Sequence, residues 1–326
     1  MKNTLGSAVT LTIFGESHGE EIGAVLDGLA PGIRVDEGEI AARLAQRRPS
    51  GAISTARSEP DPFRIVSGVL GGYTTGTPIA ILIPNTQVRS GDYQALSGKA
   101  RPGHADYAAE QKYHGYQDER GGGHFSGRVT AALVAAGAIC RAALREKGVE
   151  LGSHILSLGG KWDRPFSTDE KALLGELRAL DRMDFAVLDE QAGEAMKEAI
   201  LTAKAEGDSV GGRLESAVCG LAAGLGEPWF DSVESMLSHA LFSIGGVKGV
   251  AFGDGFDLCD MRGSEANDPS AIPSRDGWSP TPIETAASTA ALPTACRCAS
   301  SPPSSLRRPF CVPSKRWISA AASISR

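Results

Sequence analysis

The chain has 326 residues, enough to bury a sizeable core as one large domain or two ordinary ones. Its apolar share of 41% and charged share of 22% are those of a globular protein. A net charge of −6 excludes a generic binder of nucleic acid or anionic membrane, because no basic excess exists to neutralise phosphates.

The opening segment, MKNTLGSAVTLTIFGESHG, lacks the long apolar run of a signal peptide before Gly15 and Glu16. No stretch approaches the roughly 18 uninterrupted apolar residues of a spanning helix. Six cysteines, at 140, 219, 259, 296, 298 and 311, form no CxxC pair, so neither a zinc site nor a disulfide framework is expected. These features together predict a cytoplasmic protein.

Residues 9–14 read as a strand, as do 64–70 and 78–83. Residues 37–47 read as a helix, with Ile40, Ala41 and Leu44 at helical spacing. The clearest helix is 130–147, TAALVAAGAICRAALREK, apolar almost all round and therefore buried, with Gly148 as its stop. Polar amphipathic helices are expected within 167–206, best in 189–205, and β patterning returns at 210–221 and 246–252. The mixture predicts an α+β fold rather than a regular βαβ repeat.

At residue 269 the character changes. Only one of the 40 glycines lies beyond it, and residues 269–326 hold seven Lys/Arg against two Asp/Glu. The first 268 residues therefore carry −11 and the tail +5. Composition alone predicts a disordered basic tail. A second account rests on the codons. Back-translated from the third base of the Pro269 codon, residues 269–298 admit the reading FRYSVEGWVVTDTNRNGGINGGIANGMPV. That string is rich in β-formers and Asn-Gly turns, as after the loss of one nucleotide near codon 269. The expected division is a core over 1–268 and an out-of-frame tail over 269–326.

Three constellations carry chemistry. Gly15-Glu16-Ser17-His18-Gly19 follows the first strand and offers a hydroxyl and an imidazole in a turn that a ligand can approach. Arg101-Pro102-Gly103-His104-Ala105-Asp106 places a second histidine beside an arginine and a carboxylate, an arrangement that also suits a solvated ion pair. Arg120-Gly121-Gly122-Gly123-His124-Phe125-Ser126-Gly127-Arg128 is a glycine-rich loop feeding a helix, where free N–H groups and two arginines suit an anion. It is neither a Walker A loop nor a GxGxxG. Arg47-Arg48 closes a helix, and residues 243–249 form a further glycine turn. His114, His154 and His239 receive no role. Together the features suit a polyanionic substrate and a phosphate-bearing cofactor, with proton transfer by histidine.

In this order and spacing, GESHG, RPGHAD and GGGHFSGRVTA resemble the motif set of the chorismate synthases. DGLAPGI at 27–33, SGVLGGYTTGTPIAILIPN at 67–85, YHGYQD at 113–118 and GSEANDP at 263–269 extend the resemblance over about the first 268 residues. It implies a β-α-β sandwich core in a homotetramer. It also implies conversion of 5-enolpyruvylshikimate 3-phosphate to chorismate and phosphate by 1,4-anti elimination, with reduced FMN required and NADPH as the reductant in bifunctional members. By position, His18 and His104 match the motif histidines, one assisting phosphate departure and the other protonating the reduced flavin. Arg47, His124, Phe125, Ser126, Gly245 and Gly246 match cofactor-contacting positions. Ser17 and Arg128 are matched to the substrate.

The family's later NGGINGG-, KPTPS- and RHDPC-like segments are absent from the translated chain, and the other reading frame restores the first. Little or no activity is therefore expected. The alternative reading is a non-catalytic flavin- or phosphate-binding protein whose basic tail engages a partner.

Overall fold

The computed structural model describes residues 2–48, 51–54, 60–86, 100–101, 103–222 and 224–266, and the backbone of 318–323. The chain divides into two compact units, Met1–Lys147 and Gly148–Arg326. That boundary falls inside the core expected over 1–268 and directly before Gly148, the expected helix stop.

The first unit is an antiparallel sheet with a helical layer. Its strands are β1 (Thr4–Gly6), β2 (Thr10–Gly15), β3 (Glu21–Asp27), β4 (Arg64–Ser67) and β7 (Ile79–Pro84), in the order β1-β2-β3-β7-β4. Beside them, β5 (Val69–Leu70) and β6 (Tyr73–Thr74) form a small hairpin. The strand expected over 64–70 is broken at Gly68, whose φ of 83° no extended residue adopts. Along β7 every second residue is buried, so Ile79, Ile81 and Ile83 face one side with Ile22, Ala24 and Leu26 of β3.

Helix α1 (Glu37–Gln46) starts where Asp36 accepts from the N–H groups of Gly38 and Glu39, at 2.9 and 3.2 Å. It presents Ile40 and Leu44 to the core. Helix α2 (Asp106–Tyr113) is short, and α3 (Thr130–Glu146) packs against α1, β3 and β7. The segment Gly127–Glu146 is long and apolar enough to cross a membrane by length and hydropathy. In this fold it lays Ala131, Ala132, Ala135, Ala136 and Ile139 into the core, and small side chains let helix and sheet approach closely.

The second unit repeats the plan. β8 (Glu150–Leu158), β9 (Lys161–Trp162), β10 (Gly211–Cys219), β11 (Val247–Phe252) and β12 (Ile318–Ser323) form an antiparallel sheet in the order β11-β12-β10-β8-β9. Helices α4 (Glu170–Leu180) and α5 (Glu190–Ala205) start at the caps Asp169 and Asp189, and α6 (Val233–Phe242) lies on β11. Its core gathers Phe166, Leu173, Leu177, Leu180, Ala217 and Cys219.

Mixed helices and antiparallel sheets make the fold α+β, as expected. Residues 267–268 at the end of the expected core, and 269–317 and 324–326 of the expected tail, lie outside the described residues. The described part of the tail is β12, which departs from the disorder expected there: its backbone pairs with β10 on one side and β11 on the other.

Candidate active site

In the first unit, β2 ends at Gly15, where a φ of 98° turns the chain out of the sheet. The turn Glu16–Gly19 closes with a bond from the Gly19 N–H to the Glu16 carbonyl at 3.1 Å. Ser17 and His18 occupy its middle and are buried. The Ser17 Oγ donates to the Arg120 carbonyl at 3.1 Å and lies 3.1 Å from His18 Nδ1. A hydroxyl has one hydrogen. With it spent on the carbonyl, Nδ1–H is the donor toward Ser17, a tautomer assigned from the network, and in the neutral ring Nε2 carries no hydrogen.

The loop facing this turn runs from Asp118 to Arg128. Gly121, Gly122 and Gly123 all have positive φ, and the Ser17 N–H donates to the Gly123 carbonyl at 3.1 Å. A Cβ on Gly121 would stand 2.2 Å from His18 Cε1 and 2.4 Å from Nδ1, so only glycine lets the imidazole lie on the loop. His124 Nδ1 donates to the Gly15 carbonyl at 2.8 Å. The half-exposed Phe125 meets Tyr113 edge-on at 5.9 Å between ring centres. Ser126 Oγ accepts from the Arg128 N–H at 3.3 Å and caps the short helical turn Gly127–Val129 that leads into α3.

The arginines of this region are matched with carboxylates. Arg47 Nη1 meets Asp61 Oδ2 at 2.7 Å, and Arg128 Nη1 meets Oδ1 of the same fully buried aspartate. Arg128 Nε donates to Asn85 Oδ1 at 2.9 Å and its Nη2 to the Pro84 carbonyl at 3.2 Å. Arg101 forks onto Asp106 through Nε and Nη2, at 2.8 and 2.9 Å. That fork holds the Asp106 carboxyl at about 2, below the ordinary 3.8, against the opposing effect of burial. Arg120 similarly lowers Asp118 by hydrogen bonding, again against burial.

The structure brings Ser17, His18, Arg47, His124, Phe125, Ser126 and Arg128 into one hydrogen-bonded neighbourhood of the first unit. The 101–106 turn joins it through Arg101, whose Nη2 is 3.6 Å from where a Cβ on Gly122 would stand. His104 lies in that turn, its N–H donating to the Arg101 carbonyl at 3.3 Å. Pro102 of this motif and residues 267–269 of GSEANDP lie outside the described residues. Gly245 and Gly246 belong to the second unit, in the turn between α6 and β11, with Gly246 at a φ of 94°.

Asp61 and Asn85 were not singled out from the sequence. Asn85 closes the 67–85 stretch that carries the resemblance and Asp61 lies in none of the quoted motifs, and nothing local marks the charge they meet. His154, which received no role, is buried in the second unit, with Nδ1 at 3.0 Å from Asp163 and Nε2 at 2.7 Å from Glu215. Among the described residues no group of three His, Cys, Asp or Glu side chains could hold a metal ion.

A hydroxyl–imidazole pair on a glycine loop, ringed by arginines within an antiparallel α+β unit, is the equipment of an enzyme that handles an anionic small molecule by proton transfer. A family model described as chorismate synthase matches residues 9–310, past the boundary expected at 268. The chorismate synthase of Pyrococcus abyssi is 44% identical over 272 residues, which cover 83% of this chain and 74% of that protein. That of Aeropyrum pernix is 44% identical over 275 residues, covering 84% and 72%. A crystal structure of a chorismate synthase matches with a TM-score of 0.73 and 26% identity, over 98% of this chain and 85% of that one. The chain belongs to the chorismate synthase family. Nothing in these comparisons favours reduced activity or the non-catalytic alternative.

Proposed function

We propose that the turn carrying Ser17 and His18, laid against the glycine loop 121–123, is the catalytic centre of a chorismate synthase. The reaction converts 5-enolpyruvylshikimate 3-phosphate to chorismate by 1,4-anti elimination of phosphate. It is carbon–oxygen lyase chemistry within the shikimate pathway. The observation that carries this reading is the contact of the His18 ring with the Cβ-free face of Gly121, with Ser17 Oγ 3.1 Å from its Nδ1.

His18 and His104 are the catalytic histidines. A protonated imidazole beside the departing phosphate stabilises charge where it develops. Ser17 orients His18 through Nδ1, and Arg128 binds the anionic substrate while Asp61 and Asn85 hold its guanidinium in place. The residues present also fit reduced FMN. Loop 121–123 presents backbone without side chains, Phe125 offers an exposed apolar ring, and Arg47 supplies a cation at the end of α1. His124 and Ser126 complete the set of first-unit residues that would hold it. When bound, reduced FMN supplies electron density as phosphate leaves and receives it back, with no net redox change. NADPH is the reductant in the bifunctional version of this reading. The protein works as a cytoplasmic homotetramer.

The tail beyond 268 is the product of a lost nucleotide near codon 269. Support comes from the abrupt loss of glycine, the change of charge sign and the family-like NGGINGG string in the other frame.

The deciding experiment is anaerobic phosphate release from 5-enolpyruvylshikimate 3-phosphate with chemically reduced FMN. Release that disappears in His18→Gln is expected. Soluble, folded protein that releases no phosphate, both as written and with residues 269–326 replaced by the other reading frame, would overturn the reading.

A further inference from the structure

We propose that Asn85 is a positioning residue for the elimination, holding the Ser17–His18 turn in register with the Arg128 guanidinium. The inference rests on the site reading given above for His18 and Arg128.

Asn85 follows directly on β7, and its backbone N–H donates to the Glu20 carbonyl at 3.0 Å, prolonging the β3–β7 ladder by one bond. Its side chain is thus carried at the end of a strand whose isoleucines line the core of the first unit. The carboxamide Nδ2 donates to the Glu16 carbonyl at 2.9 Å and to the Gly19 carbonyl at 2.8 Å. These are the first and last residues of the turn that carries Ser17 and His18. On its other side, Oδ1 accepts from Arg128 Nε at 2.9 Å. A primary amide has two donor hydrogens and one carbonyl oxygen, and here each faces a partner on one of the two functional segments.

The chemistry of the fork makes this separable from ordinary packing. Aspartate at 85 would be nearly isosteric and would keep, even strengthen, the contact to Arg128. It has no hydrogen to give the Glu16 and Gly19 carbonyls, and would set a negative charge against them. Asn85→Asp therefore releases the histidine turn while the arginine stays held. Asn85→Ala releases both. A shift of about 1 Å in a catalytic group can cost on the order of 100-fold in rate.

The test joins steady-state phosphate release under reduced FMN with amide hydrogen exchange of the flavin-free protein. For Asn85→Asp the expected result is a kcat loss of roughly 10- to 100-fold with KM within about threefold of the parent. Exchange would be faster for peptides spanning 15–20 and unchanged for those spanning 130–146. Asn85→Ala should add a rise in KM. A kcat within about twofold of the parent in Asn85→Asp would overturn the proposal. So would faster exchange spread evenly over both peptides, since a merely structural role does that. His18→Gln separates the two levels. If it retains full turnover, the site reading fails. If it abolishes turnover while Asn85→Asp does not change kcat, only the positioning role of Asn85 fails.

Discussion

Asp61 gathers more charge than any other residue of the first unit's site. Its carboxylate is fully buried, held at a left-handed φ of 45°, and shared by Arg47 and by the almost fully buried Arg128. Breaking a buried pair leaves an uncompensated charge, so Asp61→Ala should lose about 3–5 kcal/mol, read from urea unfolding. Arg47 is partly open to solvent, and Arg47→Ala should lose only about 1 kcal/mol in the same measurement. Arg101 and Asp106 make a second case. The carboxyl stands at about 2 when folded against an ordinary 3.8, so this pair stabilises the fold above that ordinary value. The contribution fades as pH falls toward and through 2. Arg101→Met should return the Asp106 titration, followed by carboxyl NMR, toward 3.8 and remove that part of the acid dependence.

At the level of elements, the tight packing of α3 depends on its alanines. Ala135 is fully buried, in the helix that faces β3 and β7. Ala135→Leu should destabilise by about 1–3 kcal/mol, seen as a lower urea midpoint at unchanged m-value. Helix α3 was legible in the sequence because its apolar run is long and ends in Gly148. Strands β2, β7, β10 and β11 were legible within a residue or two from alternating or continuous apolar runs. Strands β3 and β8 escaped notice. In EIGAVLD and ELGSHILSL, glycine and charge interrupt the pattern, and partners distant in the chain decide the outcome. Of the site, the histidine turn and the glycine loop announced themselves by composition. The pairing of Arg47 and Arg128 through Asp61, and the fork of Asn85, are contacts across tens of residues, which local pattern does not encode. The same holds for His154, bound between Asp163 and Glu215 from neighbouring segments of the second unit.

For the whole molecule, the frameshift proposed for residues 269–326 can be measured directly. Replacing residues 269–326 by a chain continued in the other reading frame should raise the melting temperature and the rate of phosphate release over the chain as written. Equal values would remove the frameshift reading. The division at Lys147 carries a further consequence for how a frameshift at codon 269 would be met in the cell. Every strand of the sheet β1-β2-β3-β7-β4, and helix α3 that covers it, is encoded before residue 148. Domains generally fold as units, the N-terminal one first, as the ribosome delivers them. By the time codon 269 is read, the histidine turn, the glycine loop and the Asp61 arginine pair have all left the decoding site. A change of frame there would reach the second unit in mid-construction, when the half of the protein that holds Ser17, His18 and Arg128 had already been written.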